Sequence, residues 1–442
     1  MDDDYIVVDM ADTQDLSLGI HSLPSEVLAG EIFPLVAHGD RWRRKILVLD
    51  QVCTHWRHIL HSSPLLWTNC IPINTRQFSG LSSADSLVAS YFTAVKMWLA
   101  RSAPLPVPVS LNWSAFRPGT DDFSRAVDIF TEISGRWKSL HIDARWAEEA
   151  TVYVLRALER QSPGTLHALT EVAFNSFPVW IRAPVPPFTT IPDRQFIRPL
   201  EVVSIPWSQL TQLGLISASA LTCRTVLLKC TNIVSAGWEG VTEDDSNLSA
   251  ELSITTLTHL SLLRLSVSQA SIRAAGNLVL PALTTLELLH DARMVWPHPA
   301  VFSLLPLSNI QKLTLNVALD VLESADLCAL LRCTPGVTEL KLDTPFGIEN
   351  AFLDALRADG PVTELLLPRL EMLWVHGGPR FIPYSDAENA QLLTAFQAMV
   401  TSRVGVLRRL VYKPVVTNKR LRDKLMLAFP AFSVNGLHVE VL

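Results

Sequence analysis

The run LSLLRL at residues 260–265 returns as LTTLEL at 283–288, as IQKLTL at 310–315 and as VTELKL at 337–342. Each copy reads apolar, two variable, apolar, one variable, apolar. Counted from Leu260 to Leu283, Ile310 and Val337, the intervals are 23, 27 and 27 residues. The last two apolar positions are two apart, so on an extended chain both point to one face. The first turns the chain into that strand. Between copies the spacing becomes helical: Leu322 to Leu331 places Leu327, Leu330 and Leu331 together, and Ala351 to Ala358 does so with Phe352, Leu353 and Leu356.

Toward the N-terminus the pattern extends to Trp137/Leu140/Ile142, Leu169/Val172/Phe174 and Leu210/Leu213/Leu215, and less regularly to Cys223/Val226/Leu228. Toward the C-terminus it continues as Val362/Leu365/Leu367, Leu370/Leu373/Val375 and Leu407/Leu410/Tyr412. Leu169 and Leu210 are 41 residues apart, and six prolines between residues 177 and 199 predict a projecting loop there. One strand–helix unit cannot bury both of its apolar faces, whereas stacked units share a continuous core. The expectation is an α/β repeat over residues 137–442. It resembles an irregular leucine-rich-repeat solenoid, horseshoe-like in form. The alternative is an α/β domain whose parallel sheet has another topology.

The N-terminal third reads differently. Residues 1–19 are expected to be an acidic flexible tail, residues 20–67 a compact helical module, and residues 68–136 a connector. Within the connector, Leu87 to Ala100 has helical spacing, and PLPVPVSLNW at 104–113 reads as an extended segment. In the module, Pro24 suits a first helical turn, and Val27, Leu28, Ile32 and Phe33 share one face. Pro34 is expected to end that helix, and His38 to Arg44 to form a polar loop. A second helix then carries Leu49, Val52, Cys53, Trp56, Ile59 and Leu60, stopped at Ser63-Pro64, with Leu65, Leu66 and Trp67 folding back on it.

The ordered set Leu23-Pro24, Glu26-Val27-Leu28, Ile32-Phe33, Val52-Cys53, Trp56-Arg57, Ile59 and Ser63-Pro64 with Leu66-Trp67 resembles an F-box. In particular it is similar to the F-box-like proteins abundant in mushroom-forming fungi. The basic stretch Arg41 to Lys45 departs from that pattern, which has a more apolar short helix there. The resemblance implies docking onto a Skp-type adaptor, which bridges to the cullin scaffold of a ubiquitin ligase, while the repeat domain selects a protein client. The adaptor-binding residues so implied are Leu23, Pro24, Val27, Leu28, Ile32, Val52, Trp56, Leu66 and Trp67. Within that resemblance, Leu49, Val52 and Trp56 read as core, and Leu23, Pro24 and Leu28 as interface.

On each repeat strand the variable residue between the last two apolar positions faces away from the core. These are His141, Ala173, Gly214, Arg264, Glu287, Thr314, Lys341 and Leu366. Arg264, Glu287 and Lys341 are the candidate client-binding residues.

Chemistry is sparse. There is no GxxxxGK[ST], GxGxxG, HExxH or GxSxG pattern, so no catalytic residue, cofactor or metal is expected. His55, His58 and His61 recur every third residue but lack further ligands, and they read as a solvated helix face. Cys223/Cys230 and Cys328/Cys333 occupy apolar positions and read as packing. Glu239, Glu243, Asp244 and Asp245 read as a solvated loop, Gly377-Gly378 as a turn, and Ala387 to Val400 as a repeat helix. A net charge of −6 gives no basic face for nucleic acid or an anionic membrane. The acidic start lacks the positive region of a signal peptide, and Val202 to Cys223, the most apolar uncharged stretch, is broken by Pro206 and polar residues. The expected site of action is cytoplasmic or nuclear. The leading expectation is a ligase substrate adaptor; the alternatives are an interaction scaffold on the same fold and, last, an unrecognised α/β enzyme.

Overall fold

The computed structural model describes residues 23–36, 42–68, 71–74, 84–112, 121–143, 157, 165–175, 205–216, 218–241, 255–276, 278–290, 296–317, 324–344, 350–359, 365–377, 386–414 and 437–441. The proposed acidic tail, the proline-rich loop at 177–199 and the acidic residues 243–245 lie outside these. The chain divides into two compact units: Met1–Ile71 with Gly80–Pro108, and Pro72–Ser79 with Val109–Leu442. The helix Ala84–Arg101, read from sequence as part of a connector, thus belongs to the first unit.

In the first unit the chain is helical from Ser25 to Val36, running past Pro34. Pro34 was expected to end the helix, because its ring meets the carbonyl four residues back. The structure answers with a widened π turn over Leu28–Ile32, in which the Phe33 N–H reaches five residues back to the Leu28 carbonyl. The second helix is also two helices, Trp42–Val52 and Thr54–Ser62. Cys53 breaks them: its backbone is extended (φ −160°, ψ 168°), and its Sγ accepts the Trp56 N–H at 3.4 Å as an N-cap. Helix therefore begins at Trp42, inside the expected polar loop. A 3-10 turn Pro64–Trp67 follows, and the Trp67 indole N–H donates to the Leu60 carbonyl at 2.7 Å.

The strands in chain order are β1 (Ile71–Asn74), β2 (Val107–Asn112), β3 (Trp137–Asp143), β4 (Glu171–Asn175), β5 (Gln212–Ile216), β6 (Ser235–Glu239), β7 (Thr255–Thr256), β8 (Leu262–Ser266), β9 (Leu278–Val279), β10 (Thr285–His290), β11 (Lys312–Val317), β12 (Glu339–Thr344), β13 (Met372–Gly377), β14 (Arg409–Pro414) and β15 (His438–Val441). Thirteen form one open sheet in sequential order, with β7 and β9 paired separately. Every described pairing is parallel. Parallel neighbours need a crossover, and the crossovers Ala220–Lys229, Gln269–Gly276, Pro299–Leu304, Ser324–Arg332, Asn350–Ala355 and Asp386–Ser402 pack one on the next. At one such contact Gly276 lies so close to the following segment that a Cβ there would meet Leu304 Cβ at 3.0 Å. The fold is α/β with an open parallel sheet.

Two regularities hold the units in register. At the start of each strand, one carbonyl accepts from two consecutive N–H groups of the next unit. Thr170 O serves Thr211 and Gln212, Thr211 O serves Val234 and Ser235, and the series runs on through Val234, Ser261, Thr284, Gln311, Thr338 and Glu371 at 2.8 to 3.2 Å. The Thr211, Ser261 and Thr338 hydroxyls add a bond to the same carbonyls at 3.2 to 3.3 Å, while the other positions rely on backbone alone. Second, the first apolar residue of a unit donates its N–H to a buried residue three positions earlier. The pairs Leu169–Leu166, Leu210–Trp207, Ile233–Cys230, Leu283–Leu280, Ile310–Leu307, Val337–Thr334 and Leu370–Leu367 do this at 3.1 to 3.3 Å.

That extra buried position corrects two assignments. Cys223/Val226/Leu228 lie in the helix Ala220–Lys229, and the strand of that unit is β6, built on Ile233, Ala236 and Trp238, all buried. Leu365 and Leu367 are not in a strand: Leu367 closes the turn before Leu370, at φ 53°. Val362 lies outside the described residues.

Candidate functional site

The first candidate surface is on the helical unit. Phe33 and Trp56 meet edge to face, with ring centres 5.1 Å apart. Leu28, Phe33, Ile46, Leu49, Trp56, Ile59, Leu60, Leu66 and Trp67 are all buried. The Arg101 guanidinium lies 4.6 Å from the Trp67 ring centre, tying Ala84–Arg101 to the same core.

This arrangement redistributes the residues singled out from sequence. Leu28, expected at an interface, is fully buried, because the π turn rotates it onto the core. Val52, expected in the core, is 47% exposed: the break at Cys53 ends its helix, so it no longer shares the face of Trp56. Trp56, Leu66 and Trp67 are buried and can act on a surface only by shaping it. Pro24 and Val27 are exposed; Leu23 and Ile32 are half-buried. Leu35, Leu47 and Val48, which the sequence did not single out, are at least half exposed, and so is Leu65, which was expected to fold back on the second helix. Val48 and Val52 stand one turn apart on one helix face. The helical signal alone could not find them, because the break at Cys53 decides which face turns outward.

On the same unit, His61 Nε2 lies 2.7 Å from Asp50 Oδ1, while His55 and His58 are exposed. Among the described residues no group of three His, Cys, Asp or Glu side chains is placed to hold a metal ion. Cys230 is buried, and burial pushes its thiol up to about 12.

The second candidate surface is the sheet face opposite the crossovers. The inter-strand register puts the variable positions in one row, from His141 through Ala173, Gly214, Gly237 and Arg264 to Glu287. It continues through Thr314, Lys341, Trp374 and Val411, the last fully buried, to Glu440. Leu366 does not join it. That residue is buried beside the Leu367 turn, and Trp374 holds the position assigned to it. Gly237 was missed because its strand was displaced onto Cys223/Val226/Leu228.

Arg264, Glu287 and Lys341 share this row, but the first two bind each other: Arg264 Nε is 2.6 Å from Glu287 Oε2. Lys341 Nζ lies 5.3 Å from the Trp374 ring centre. Further pairs join neighbouring strands on this face, Lys312–Glu339 at 2.9 Å, Arg409–Glu440 at 2.8 Å and His376 Nδ1–Asp343 Oδ1 at 2.8 Å. The Arg409 and His438 hydrogen bonds hold the Glu440 carboxyl below the usual carboxylate range.

No family model matches the chain, and no curated protein matches it. Among solved structures, a Bacteroides fragilis protein from a structural genomics consortium aligns over 82% of this chain and 84% of its own. Its identity is 11% and its TM-score 0.33, too distant to transfer fold or function. No helix among the described residues is long and apolar enough to cross a membrane. One candidate surface exposes aliphatic side chains on short helices, and the other carries a row of mixed polar and aromatic groups on the sheet.

Proposed function

We propose that the chain is the substrate-recognition subunit of a Skp–cullin–F-box-type ubiquitin ligase. The helical unit is an F-box-like module that docks a Skp-type adaptor, which bridges to a cullin. The sheet unit is an irregular leucine-rich-repeat solenoid whose open face selects a protein client, in cytoplasm or nucleus. The reading needs no catalytic residue and no cofactor in this chain.

The observation that carries it is the apolar surface of the helical unit. Val27, Leu35, Leu47, Val48, Val52 and Leu65 are 37 to 77% exposed on a few short helices. Such a concentration of exposed aliphatic groups marks a surface that a partner covers. The sequential sheet, with each unit bonded to the next by the same pair of backbone hydrogen bonds, supports the repeat reading.

The test is capture of the full-length protein from cells under proteasome block, together with binding of purified Skp-type adaptor. Adaptor and cullin are expected together. Folded protein that binds no adaptor overturns the proposal, and adaptor without cullin points to an interaction scaffold outside a ligase.

A further inference from the structure

Toward β13 and β14 the open face carries a patch whose chemistry differs from the rest of the row. There we infer a docking site for a segment of a partner protein that presents an apolar side chain flanked by carboxylates. This deepens the reading of the open face as a client surface and depends on it.

Trp374 is the centre of the patch. It is half-buried in the row, with Met372 and His376 one step away on either side along the same strand face. A large ring fixed on a rigid strand is the kind of anchor that dominates protein interfaces. The charges around it are unequally satisfied. Arg264, Lys312 and Arg409 each hold a carboxylate of a neighbouring strand. The Asp343 carboxylate is held by His376. Among the described residues, Lys341 and Lys413 have no carboxylate partner. Lys341 stands beside Trp374 in the row, and Lys413 pairs in register with His376.

The charge beside the ring that lacks a carboxylate is therefore positive, Lys341 resting only against the Trp374 ring, on a chain whose net charge is −6. Strands are about 4.8 Å apart and an extended peptide advances about 3.3 Å per residue. A segment lying over Trp374 therefore brings side chains within two or three positions of its apolar residue toward Lys341 on one side and Lys413 on the other. Carboxylates there would meet both cations at a site where an aromatic face already excludes water from one side.

The experiment is panning of a random peptide library displayed on phage against the full-length protein. The expected outcome is enrichment of peptides with Asp or Glu within three positions of Leu, Ile, Phe or Trp. An enriched peptide, synthesised, should lose about tenfold in affinity to Lys341→Glu, the equivalent of one charge contact. It should lose as much or more to Trp374→Ala, keep most of its affinity for Trp374→Phe, and bind more weakly at high salt. Enrichment without acidic preference, no enrichment at all, or affinity unchanged by both Lys341→Glu and Trp374→Ala overturns the assignment. Loss on Arg264→Glu alone would leave the open face as the client surface and remove this patch from it. Adaptor and cullin capture judges the ligase reading separately.

Discussion

Arg264 and Glu287 face each other across β8 and β10, with Nε and Oε2 2.6 Å apart. Each therefore satisfies the other before any client arrives. The Arg264 side chain is 48% exposed and that of Glu287 21%, so water and salt screen the pair. In a double-mutant cycle of Arg264→Ala and Glu287→Ala, read by chemical denaturation, the coupling should be about 0.2–1 kcal/mol and fade at 1 M salt. A coupling well above that range would mean the pair is structural. If both residues contact a client, Arg264→Glu with Glu287→Arg should keep stability while lowering client binding.

Arg403 presents the opposite case. It is 2% exposed, and its guanidinium donates to the carbonyls of Leu356, Leu366 and Leu367. Burial lowers its pKa from the ordinary value. These bonds fix the turn in which Leu367 adopts φ 53°, a left-handed conformation that a leucine rarely takes. Arg403→Met keeps the buried stem and strands three carbonyls at roughly 1–3 kcal/mol each. The sheet unit should lose at least about 3 kcal/mol in chemical denaturation, with a much smaller loss for Arg408→Met on the surface. Equal losses would remove Arg403 from this role.

The strands were legible from sequence wherever the two apolar positions of a strand stood next to a regular interval, as at Leu263/Leu265 and Leu313/Leu315. They failed at β6, where Ala236 and Trp238 fill the same positions with the smallest and largest apolar side chains. The buried residue five positions before each of these strands was invisible for a different reason: Trp207, Cys230, Leu280 and Thr334 share burial but not residue type. On the helical unit, residue types announced the core, as with Trp56 and Leu60. Which flank turns outward depended on the π turn at Leu28 and the cap at Cys53, two backbone events with no periodicity to read.

Cys230 gives a pH-dependent readout. Its thiol is raised by burial from 9.0 to about 12, so the folded state keeps the proton that the unfolded chain gives up near pH 9. That contribution to stability is complete below pH 9 and is lost as pH climbs toward 12. Site-resolved alkylation at pH 8 should leave Cys230 unmodified until denaturant unfolds the sheet unit. Labelling in the native state at the rate of a free thiol would show that its site opens.

Leu28 and Val52 separate folding from docking on the helical unit. Both were candidates for the adaptor surface, yet Leu28 is fully buried and Val52 is 47% exposed. Leu28→Ala removes buried aliphatic volume and should cost about 2–5 kcal/mol. Any loss of adaptor binding would then track unfolding. Val52→Asp, alone or with Val48→Asp, removes no core contact and should change stability by less than about 0.5 kcal/mol. It places charge on an apolar interface, so adaptor affinity should fall by about tenfold or more, with circular dichroism and the melting midpoint unchanged. The same adaptor affinity in folded Val48→Asp/Val52→Asp protein would move the docking surface off this helix face, leaving Val27, Leu35 and Leu65 as the groups to test next.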